Sequence, residues 1–559
     1  MASSRARNWR LFKRVLLERP DEALAVAWLR LTNRRERAAR RLRDAALIVL
    51  EPYAAWIDLV EVLHRTRQAR PTRRVSICVV RLSQGSTEAV EAQDWIVDWA
   101  GARPGSAPEA FCCLRDAIIA CTSDLVVPVG RETVLADKAL EEFAACFVSA
   151  PEFPAYFGDH DRVDAFGRRR DPYFKPRWNA ELALAQDYVS QVCAIRTSLV
   201  KVAVTAFSAR APSVHALLLH VASKASEAPM HVPRILAHLP PGIDEAREQQ
   251  ERLAHVRDFI AGTGATVARD RFGILRVSWP LPDVLPTVSI IIPTRDQVAL
   301  VSRCVELILA DTDYPEFEIL IVDNGSCEPR TRAWFNIITR DRRVRVLRFE
   351  GPFNFSAINN FAAREACGSY LCLLNNDTEI RNGSWLTELM RYAVRPGIGA
   401  VGSKLLYADH SIQHAGVCVG LGNAAGHVHR ALDDSKPGYF ALAHSAHFVS
   451  AVTAACLVVA RDKYEAVGGL DETAFRVAYN DVDFCLKLQR HGWRNVYAPQ
   501  SVLLHLESKS RGSDFSPEHR ARYLRELAEL QARWATESYM DPVHHPALDR
   551  ASEEYRIAV

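Results

Sequence analysis

The chain has 559 residues, 48% of them hydrophobic and 25% charged, with a formal net charge of +3. Its length allows about three or four domains, its composition is that of a soluble globular protein, and its charge gives no support to nucleic-acid binding. The 13 cysteines include no C-x-x-C pair and no apolar run reaches the roughly 18 residues of a membrane span, so neither a structural zinc site nor a transmembrane anchor is expected.

The first fifty residues are basic, with 13 Arg or Lys against 5 Asp or Glu. The stretches "WRLFKRVLLERP" and "RRERAARRLRDAALIVL" mix apolar and basic residues at helical spacing, which predicts a basic helical region over residues 1–70. Such a helix can lie on an anionic membrane surface, or it can be a solvated helix packed on its neighbour. Because no secretory signal peptide is recognisable, we expect a cytoplasmic protein, with peripheral contact at the inner membrane as the alternative that the basic helix allows.

Residues 71–240 repeat later parts of the chain in shortened form. The stretches "RVSICVV", "DWIVDWAG" and "DLVVPVGRETVL" parallel "TVSIIIP", "ILIVDNGS" and "YLCLLNNDTEI" further on. An internal repeat at domain scale indicates a duplication. Between the two copies, "PPGIDEAREQQERLAHVRDFIAGTG" predicts a helical linker over residues 241–285.

Residues 286–515 alternate short apolar strands with helical stretches such as "VALVSRCVELILAD". Strands that are apolar on both faces and separated by helices predict a largely parallel sheet with both faces covered. In such sheets ligands bind beyond the carboxyl ends of the strands, which is where Asp323 and the run from Asn375 to Asp377 fall. The pattern therefore predicts a nucleotide-type site, followed by a C-terminal helix and tail over residues 516–559, with Ser516 as the helix cap.

Residues 287–512 resemble the family 2 glycosyltransferases, which have the GT-A nucleotide-sugar fold. The resemblance is carried by "VSIIIPTRD", "ILIVDNGS", "LLNNDTEI", "IQHAGV", "NDVDFCLKLQRHGW" and "HLESKSRG". The sequences of these motifs are most similar to those of the rhamnosyltransferase-like branch. In that branch a second GT-A-like domain often precedes the main one. The resemblance implies an α/β fold of tandem, Rossmann-like GT-A domains with helical N- and C-terminal extensions.

The same resemblance implies a divalent cation, Mn²⁺ or Mg²⁺. Asp377 occupies the last position of the family's Asp-x-Asp motif and is assigned to the metal, while Asn375 replaces the first Asp. A hard cation takes carboxylate oxygens readily. His505 matches a family histidine that contacts the metal or the diphosphate, and its imidazole suits Mn²⁺ better than Mg²⁺. Arg511 is a candidate for pairing with phosphate oxygens.

The catalytic base implied by the resemblance is Asp481, which would take the proton of the acceptor hydroxyl in a single displacement that inverts the anomeric configuration. Asp483 lies two residues further on and could serve instead. The family's Glu-Asp pair maps onto Asn480 and Asp481, which favours Asp481. Both carboxylates could also cap the helix that follows them.

The donor's nucleotide is expected to contact residues that follow the strands or face them from a helix. The resemblance places these contacts at Pro293, Thr294, Arg295, Asp323, Asn359, Asn360, Asn375 and Asn376. His414 and His427 are weaker candidates for contacts to the acceptor.

The first copy departs from this pattern where the metal would bind. Gly130 and Arg131 replace the two asparagines and Glu132 replaces the metal-binding acid. An arginine at this place would repel a cation. Asp159 and Asp161 have the spacing of a metal motif, but acids recur there in the family with another role. We therefore predict that residues 71–240 form a degenerate domain without ordinary metal-dependent transfer.

These features predict an inverting, metal-dependent glycosyltransferase that uses a nucleoside diphosphate sugar, with dTDP-rhamnose as the leading candidate. The acceptor would be a glycan or a lipid-linked glycan in bacterial surface polysaccharide or lipopolysaccharide synthesis. One alternative is a non-catalytic scaffold that binds glycans or nucleotide sugars. A nucleotidyltransferase is a third possibility, but no Gly-rich basic loop follows the first strand to support it.

Overall fold

The computed structural model of the protein describes residues 12–13, 16, 19–31, 41, 51–61, 71–82, 90–98, 100–130, 132–207, 212–241, 245–506 and 517–558. Within these ranges the chain forms two ten-stranded sheets, one in the first domain (residues 71–240) and one in the second (residues 286–515). Two small two-stranded sheets complete the strand pairing of the described residues. This arrangement confirms the predicted α/β class and its tandem organisation, while the domain boundaries stay predictions.

The described part of the N-terminal region is helical and packs on the first domain. It contains α1 (Pro20–Leu31), α2 (Pro52–Trp56) and a π-helical turn (Ile57–Glu61). In α2, Tyr53 and Trp56 are buried and their rings pack against Phe174 of the first domain. Most of the two basic stretches that predicted a membrane-surface helix lie outside the described residues. No described helix is both long and apolar enough to cross a membrane.

The first domain folds as a mixed sheet with helices on its faces. Its strands are β1 (Val75–Leu82), β2 (Val90–Asp98), β3 (Gly101–Pro104), β4 (Glu109–Phe111), β5 (Leu125–Gly130), β6 (Val134–Leu135), β7 (Ala155–Val163), β8 (Arg169–Tyr173), β9 (Cys193–Arg196) and β10 (Met230–Leu239). Its helices are α3 (Leu114–Ala120), α4 (Ala139–Ser149), α5 (Ala180–Ala185), α6 (Thr197–Thr205) and α7 (Val214–Lys224).

Only about a third of the linker is helical, which corrects the prediction of a helical linker over residues 241–285. After α8 (Glu245–Phe259) the chain forms a hairpin of β11 (Thr266–Arg269) and β12 (Leu275–Ser278). The Asp270 carboxylate closes the hairpin by accepting hydrogen bonds from the amides of Phe272 and Ile274.

The second domain also has a ten-stranded sheet. Its strands are β13 (Val288–Thr294), β14 (Phe317–Asp323), β15 (Val344–Arg348), β16 (Tyr370–Leu374), β17 (Thr378–Ile380), β18 (Ile398–Leu406), β19 (Ile412–His414), β22 (His447–Val449), β23 (Cys456–Ala460) and β24 (Arg494–His505), with β20 (Val417–Val419) and β21 (Ala425–His427) as a separate pair. Its helices are α9 (Val298–Asp311), α10 (Pro329–Ile338), α11 (Phe355–Glu365), α12 (Trp385–Ala393), α13 (Arg461–Ala466) and α14 (Asn480–Arg490).

The two sheets share one topology, which supports the duplication inferred from the sequence. The first sheet runs β3-β2-β1-β5-β9-β7-β10-β6 and the second runs β15-β14-β13-β16-β23-β18-β24-β17. From β1 onward each strand occupies the place of its counterpart, and each neighbouring pair has the same relative direction in both sheets.

The exception is β2, which runs antiparallel to β1 although its counterpart β14 is parallel to β13. The expected equivalence of "DWIVDWAG" and "ILIVDNGS" is therefore wrong in strand direction. Only residues 83–89 separate β1 from β2. A parallel pair needs a crossover of about a dozen or more residues, so a connection this short favours an antiparallel pair.

The two domains are joined by polar contacts with low exposure. Arg395 lies 2.6 Å from Glu181, which is 4% exposed, and the Arg395 guanidinium stacks over the ring of Trp279 in the linker. Asn179 donates to the carbonyl of Phe448 and accepts from the amide of the same residue. The domains and the linker therefore share one continuous interface.

The C-terminal helix α15 (Pro517–Trp534) forms as predicted, although its expected cap, Ser516, lies outside the described residues. Beyond it, residues 535–558, here called the tail, run along both domains. Asp541 accepts a 2.7 Å hydrogen bond from the Val419 amide of the second domain, and His545 contacts Asp159 of the first. The tail is therefore an integral part of the fold.

Three buried histidines predict a loss of stability in mild acid. Burial lowers the pKa of His447 and of His544 to about 4, and that of His429 to about 3. In an unfolded chain the histidine pKa is about 6.5, so below this pH the unfolded state binds more protons and folding weakens. We expect each histidine to cost about 2 kcal/mol of unfolding free energy between pH 7 and pH 5, measurable by urea denaturation at the two values.

A His447→Gln variant tests the assignment, because the glutamine cannot titrate. Its unfolding free energy should depend less steeply on pH than that of the wild type between pH 7 and pH 5. An unchanged slope in this variant would contradict the prediction for His447.

Candidate active site

Polar residues from three neighbouring strands of the second domain meet at one edge of the sheet. Thr294 ends β13, and its hydroxyl accepts a 2.9 Å hydrogen bond from the side-chain amide of Asn376, which follows β16. The Thr294 carbonyl accepts from the amide of Asn324, which follows β14. The carboxyl ends of these parallel strands therefore come together as the sequence predicts.

Asp377 and His505 lie side by side at this edge. The Asp377 carboxylate is 3.2 Å from Nε2 of His505, and their side chains are 4% and 11% exposed. Sheet pairing brings them together, because His505 at the end of β24 pairs with Thr378 at the start of β17. The side-chain amide of Asn375 donates to the same Nε2 over 3.1 Å.

The tautomer of His505 is set by Gln413, a residue that the sequence analysis did not single out. Nδ1 of His505 lies 2.6 Å from the side-chain oxygen of Gln413, so Nδ1 carries the proton and donates it. Nε2 then presents a lone pair toward the Asp377 carboxylate. Gln413 lies in β19, within the quoted stretch "IQHAGV", where a polar side chain in a buried strand was the available signal.

This donor set fits a divalent cation. Nε2 of His505, which carries the lone pair, and a carboxylate oxygen of Asp377 lie 3.2 Å apart, an arrangement that a cation stabilises once it displaces the Asn375 amide from that lone pair. The hydrogen bond from Nδ1 to Gln413 is the kind of support that metal-binding histidines usually have. Asp377 and His505 are the residues that would hold the ion, joined by Asn375 when its side-chain amide turns its oxygen, and not its nitrogen, toward the ion.

Replacing Gln413 by leucine should weaken metal binding without removing a ligand. The leucine cannot accept from Nδ1, so His505 loses the bond that fixes its tautomer and orientation. We expect the Mn²⁺ concentration for half-maximal activity to rise about 10- to 100-fold. A Gln413→Glu variant is the matched control, because its carboxylate still accepts from Nδ1; equal losses in both variants would contradict this role.

Asp481 lies near the same strand ends. Its Oδ2 accepts a 3.1 Å hydrogen bond from the amide of Ala454, and the carbonyl of the next residue, Ala455, accepts from the amide of Asn375. Asp481 is half-buried, in the first turn of α14. The backbone ahead of β23 thus links the predicted base to the predicted metal-binding strand end.

Asp483 has a different environment from Asp481. It is wholly buried, and its Oδ1 accepts from the indole of Trp534 over 2.9 Å and from Arg533 over 3.1 Å. Lys487 lies 3.7 Å from its other oxygen. Asp483 therefore holds α15 against α14 and has no exposed oxygen for an acceptor, which favours Asp481 as the base.

The residues predicted to bind the nucleoside occupy both buried and exposed positions. Pro293 and Thr294 are buried at the end of β13, whereas the next residue, Arg295, is exposed. The Asp323 carboxylate accepts a 2.7 Å hydrogen bond from the amide of Ser326, which shapes the loop after β14. Asp323 is 7% exposed, so a nucleoside would need to approach it closely.

Asn359 and Asn360 are largely occupied within the protein. Asn359 is fully buried and donates to the Phe355 carbonyl of its own helix. The Asn360 oxygen accepts from the Tyr464 hydroxyl and the Leu470 amide, and its nitrogen donates to the Leu470 carbonyl. A nucleotide contact through Asn360 would break one of these bonds, so here the structure differs from the prediction: Asn360 fixes the loop that follows α13.

Arg511 and its neighbours in "HLESKSRG" after Leu506 lie outside the described residues. The predicted phosphate contact stays a prediction.

His414 and His427, the candidate acceptor contacts, approach each other to 2.9 Å between their Nδ1 atoms. His414 is fully buried, and burial is the main reason that its pKa is lowered. The charges of His427 and His505 lower the pKa of His414 further. Only His427, which is half-buried, retains exposed surface.

In the first domain the corresponding sheet edge is filled by the protein itself. His238 on β10 pairs with Val134 on β6, the place that His505 has in the second domain. Its Nδ1 lies 2.6 Å from Asp161, which also contacts the Tyr53 hydroxyl and the Arg169 guanidinium. A guanidinium this close would repel a cation, which supports the prediction of a degenerate domain. Arg131 lies outside the described residues and Glu132 is exposed.

Asp159, the other acid of the "GDHD" stretch, lies between two histidines. Its oxygens are 2.8 Å from Nε2 of His231 and 2.9 Å from Nε2 of His545 in the tail. Burial alone would raise the pKa of Asp159, but the charges of the two histidines and their hydrogen bonds lower it overall.

These three side chains have the composition of a metal site, but the tautomer of His545 argues against one. Its Nδ1 accepts a 2.9 Å hydrogen bond from the Ala547 amide, so the ring proton is on Nε2 and faces Asp159. A cation would need the lone pair that this proton occupies. Asp159 and His545 are therefore better described as a close polar contact that holds the tail, here called the latch; in His505, by contrast, the Nε2 lone pair is the part that faces a carboxylate.

Comparison with known proteins identifies part of the second domain. Residues 289–417 match the family model described as Glycosyl transferase family 2. The chain therefore carries a family 2 glycosyltransferase domain, and the resemblance inferred from its motifs is confirmed.

Two curated bacterial proteins match most of this chain. The chain is 39% identical over 414 residues to the uncharacterised protein y4gI of Sinorhizobium fredii, covering 71% of this chain and 45% of that protein. It is 36% identical over 418 residues to the O-antigen biosynthesis protein RfbC of Myxococcus xanthus, covering 72% of this chain and 32% of RfbC. The chain thus spans less than half the length of these two relatives.

A third relative is the N-acetylglucosaminyl-diphospho-decaprenol L-rhamnosyltransferase of Mycobacterium tuberculosis, 26% identical over 278 residues, covering 45% of this chain and 87% of that enzyme. Among solved structures, the chain matches a mannosyltransferase from Pyrobaculum calidifontis in complex with GDP-Man and Mn²⁺. That match has a TM-score of 0.34 and 16% identity, and it covers 54% of this chain and 76% of the other.

Proposed function

We propose that the protein is an inverting, metal-dependent glycosyltransferase that moves a sugar from a nucleoside diphosphate to a glycan or lipid-linked glycan acceptor. The observation that carries this proposal is the convergence of Asp377, His505 and Asp481 around the carboxyl ends of β13, β16 and β24. The names of RfbC and of the mycobacterial rhamnosyltransferase support a role in bacterial surface polysaccharide synthesis, with rhamnose as the leading candidate sugar.

The metal-binding group would be Asp377, His505 and Asn375, with the tautomer of His505 held by Gln413. A divalent cation bound there supplies positive charge against the departing diphosphate. Mn²⁺ is the first ion to test, because an imidazole nitrogen is among the donors. Thr294 and Asp323, at the ends of β13 and β14, lie on the side of the sheet edge where the nucleoside would bind.

Asp481 would act as the base. Its carboxylate is held by the Ala454 amide and keeps exposed surface, so it can take the proton of an acceptor hydroxyl as that oxygen attacks the anomeric carbon. The bond to the diphosphate breaks on the opposite face, so one displacement inverts the configuration.

A peripheral position at the inner membrane is part of the same proposal. It rests on the basic composition of the first fifty residues alone.

The test is a screen of nucleoside diphosphate sugars with purified protein, in which the released nucleoside diphosphate is measured with Mn²⁺, with Mg²⁺ and with EDTA. Turnover of at least one donor with a divalent cation, lost in EDTA, is expected. Binding of a donor with no release under any of these conditions would instead favour a non-catalytic scaffold.

A further inference from the structure

A polar cleft of about 520 Å³ lies beside the predicted base. One wall is the segment Leu421–Gly426 of the second domain, the second is formed by Tyr479 and Tyr523, and the third is tail segment 549–554. This volume is within the range of about 300–1,000 Å³ that is usual for small-ligand sites. No residue of the cleft was assigned a role by the sequence analysis.

The cleft is connected to the candidate active site by two short paths. Tyr479 precedes Asp481 by two residues, at the start of α14. On the other side, Gly426 precedes His427, whose ring contacts His414, the neighbour of Gln413 in β19. The cleft therefore lies next in the chain both to the predicted base and to the histidine pair beside Gln413.

The aromatic wall offers a surface on which a sugar ring can stack. The rings of Tyr479 and Tyr523 are 5.8 Å apart at their centroids and tilted by 37°, and their hydroxyls are 2.7 Å apart. Both side chains are half-buried and line the cleft, with their hydroxyls bonded to each other, so the wall combines aromatic carbon with polar oxygen. An apolar face beside hydroxyl groups matches the C–H face and the hydroxyls of a pyranose.

The charges of the cleft are balanced. Its basic side chains are Arg430, Arg550 and Arg556, and its acidic ones are Asp549, Glu553 and Glu554. The Arg550 guanidinium is already engaged with the carbonyls of Gly420, Thr536 and Glu537, and Arg556 pairs with Glu554 over 2.6 Å. A site for diphosphate would need a surplus of unpaired positive charge, because phosphate recognition depends on it. Paired acids and arginines instead suit hydroxyl groups, which both donate and accept.

From these features we infer that the cleft binds uncharged sugar residues of the acceptor glycan, not the phosphate groups of a carrier lipid. This inference deepens the proposed function and rests on it for the word acceptor. The tail is one wall of this site, so the latch between His545 and Asp159 connects the degenerate domain to acceptor binding. That domain thereby gains a structural role that needs no catalysis of its own.

The experiment uses the full chain on an array of immobilised neutral and anionic bacterial oligosaccharides. We expect binding to neutral members, and a loss of at least about tenfold in affinity for Tyr523→Ala, because stacking and a hydroxyl contact are removed together. The matched control is Leu524→Ala, the adjacent position on α15, which is 49% exposed and does not line the cleft; its binding should equal that of the wild type.

Three results would overturn the inference: no binding of the wild type to any neutral glycan, a preference for anionic glycans, or equal affinity in Tyr523→Ala and the wild type. A separate arm distinguishes it from the proposed function. Asp377→Ala should keep glycan binding and lose donor turnover. If the wild type turns over no donor but its glycan binding depends on Tyr523, the proposed function fails and the cleft stands as a glycan site.

Discussion

Replacing Asp377 by alanine is expected to reduce sugar transfer by at least about 10³-fold, because the carboxylate is the principal charged group of the predicted metal site. The side chain is 4% exposed and faces the lone pair of His505, so no neighbouring water or acid can take its place easily. The measurement is the initial rate of nucleoside diphosphate release at saturating Mn²⁺, with Mn²⁺ binding followed by electron paramagnetic resonance.

The matched control is Glu132→Ala in the first domain. Glu132 occupies the sequence position that corresponds to Asp377, but it is exposed, and the nearby sheet edge is filled by Tyr53 and Arg169. Transfer by this variant should equal that of the wild type. A separable transfer step that disappears in Glu132→Ala would show that residues 71–240 are catalytic, and full activity of Asp377→Ala would remove the basis of the proposed mechanism.

The second prediction separates two carboxylates that lie two residues apart. Asp481→Asn should lower kcat by about 10²- to 10⁴-fold, the usual contribution of a positioned base, while donor binding and stability stay close to the wild type. An amide can still accept from the Ala454 amide, so the local fold is preserved. Steady-state kinetics with donor and acceptor at saturation measure this effect.

Asp483→Asn is expected to act on stability instead. The wild-type carboxylate is fully buried, accepts from Trp534 and Arg533, and lies 3.7 Å from Lys487, so a neutral amide in its place weakens buried polar contacts, while Arg533 keeps its bonds to Asp471 and Glu529. We expect a loss of about 1–3 kcal/mol of unfolding free energy, with the activity of the folded fraction retained. If Asp483→Asn loses kcat at full stability and Asp481→Asn does not, the assignment of the base is reversed.

The sequence was sufficient for the parts of this protein that depend on local pattern. Apolar strands ending in polar residues predicted the parallel sheet edge, and that edge is where Thr294, Asn376 and Asp377 meet. The family resemblance also implied that Asp377 and His505 share one site, and the pairing of His505 with Thr378 brings the two side chains together.

Features that depend on long-range contacts were missed. Gln413 acquires its role only because β19 brings it to His505, and nothing in its immediate neighbours announces this. The direction of β2 depends on a connection too short for a crossover, which a comparison of strand patterns does not take into account. Asp159 was recognised as chemically notable, but its partner His545 is far along the chain and could be identified only in three dimensions.

The latch between Asp159 and His545 has a consequence for the order of events during synthesis. Strands β7 and β10 leave the ribosome long before residue 545, so the carboxylate of Asp159 is at first without His545. A nascent first domain, in which the Lys175 amide and His231 are the partners of Asp159 that are already made, therefore lacks the His545 contact until translation reaches the tail, and a fragment cut after residue 240 would lack it permanently. Expression of that fragment alone should give a product that is more prone to proteolysis and aggregation than the same residues within the full chain.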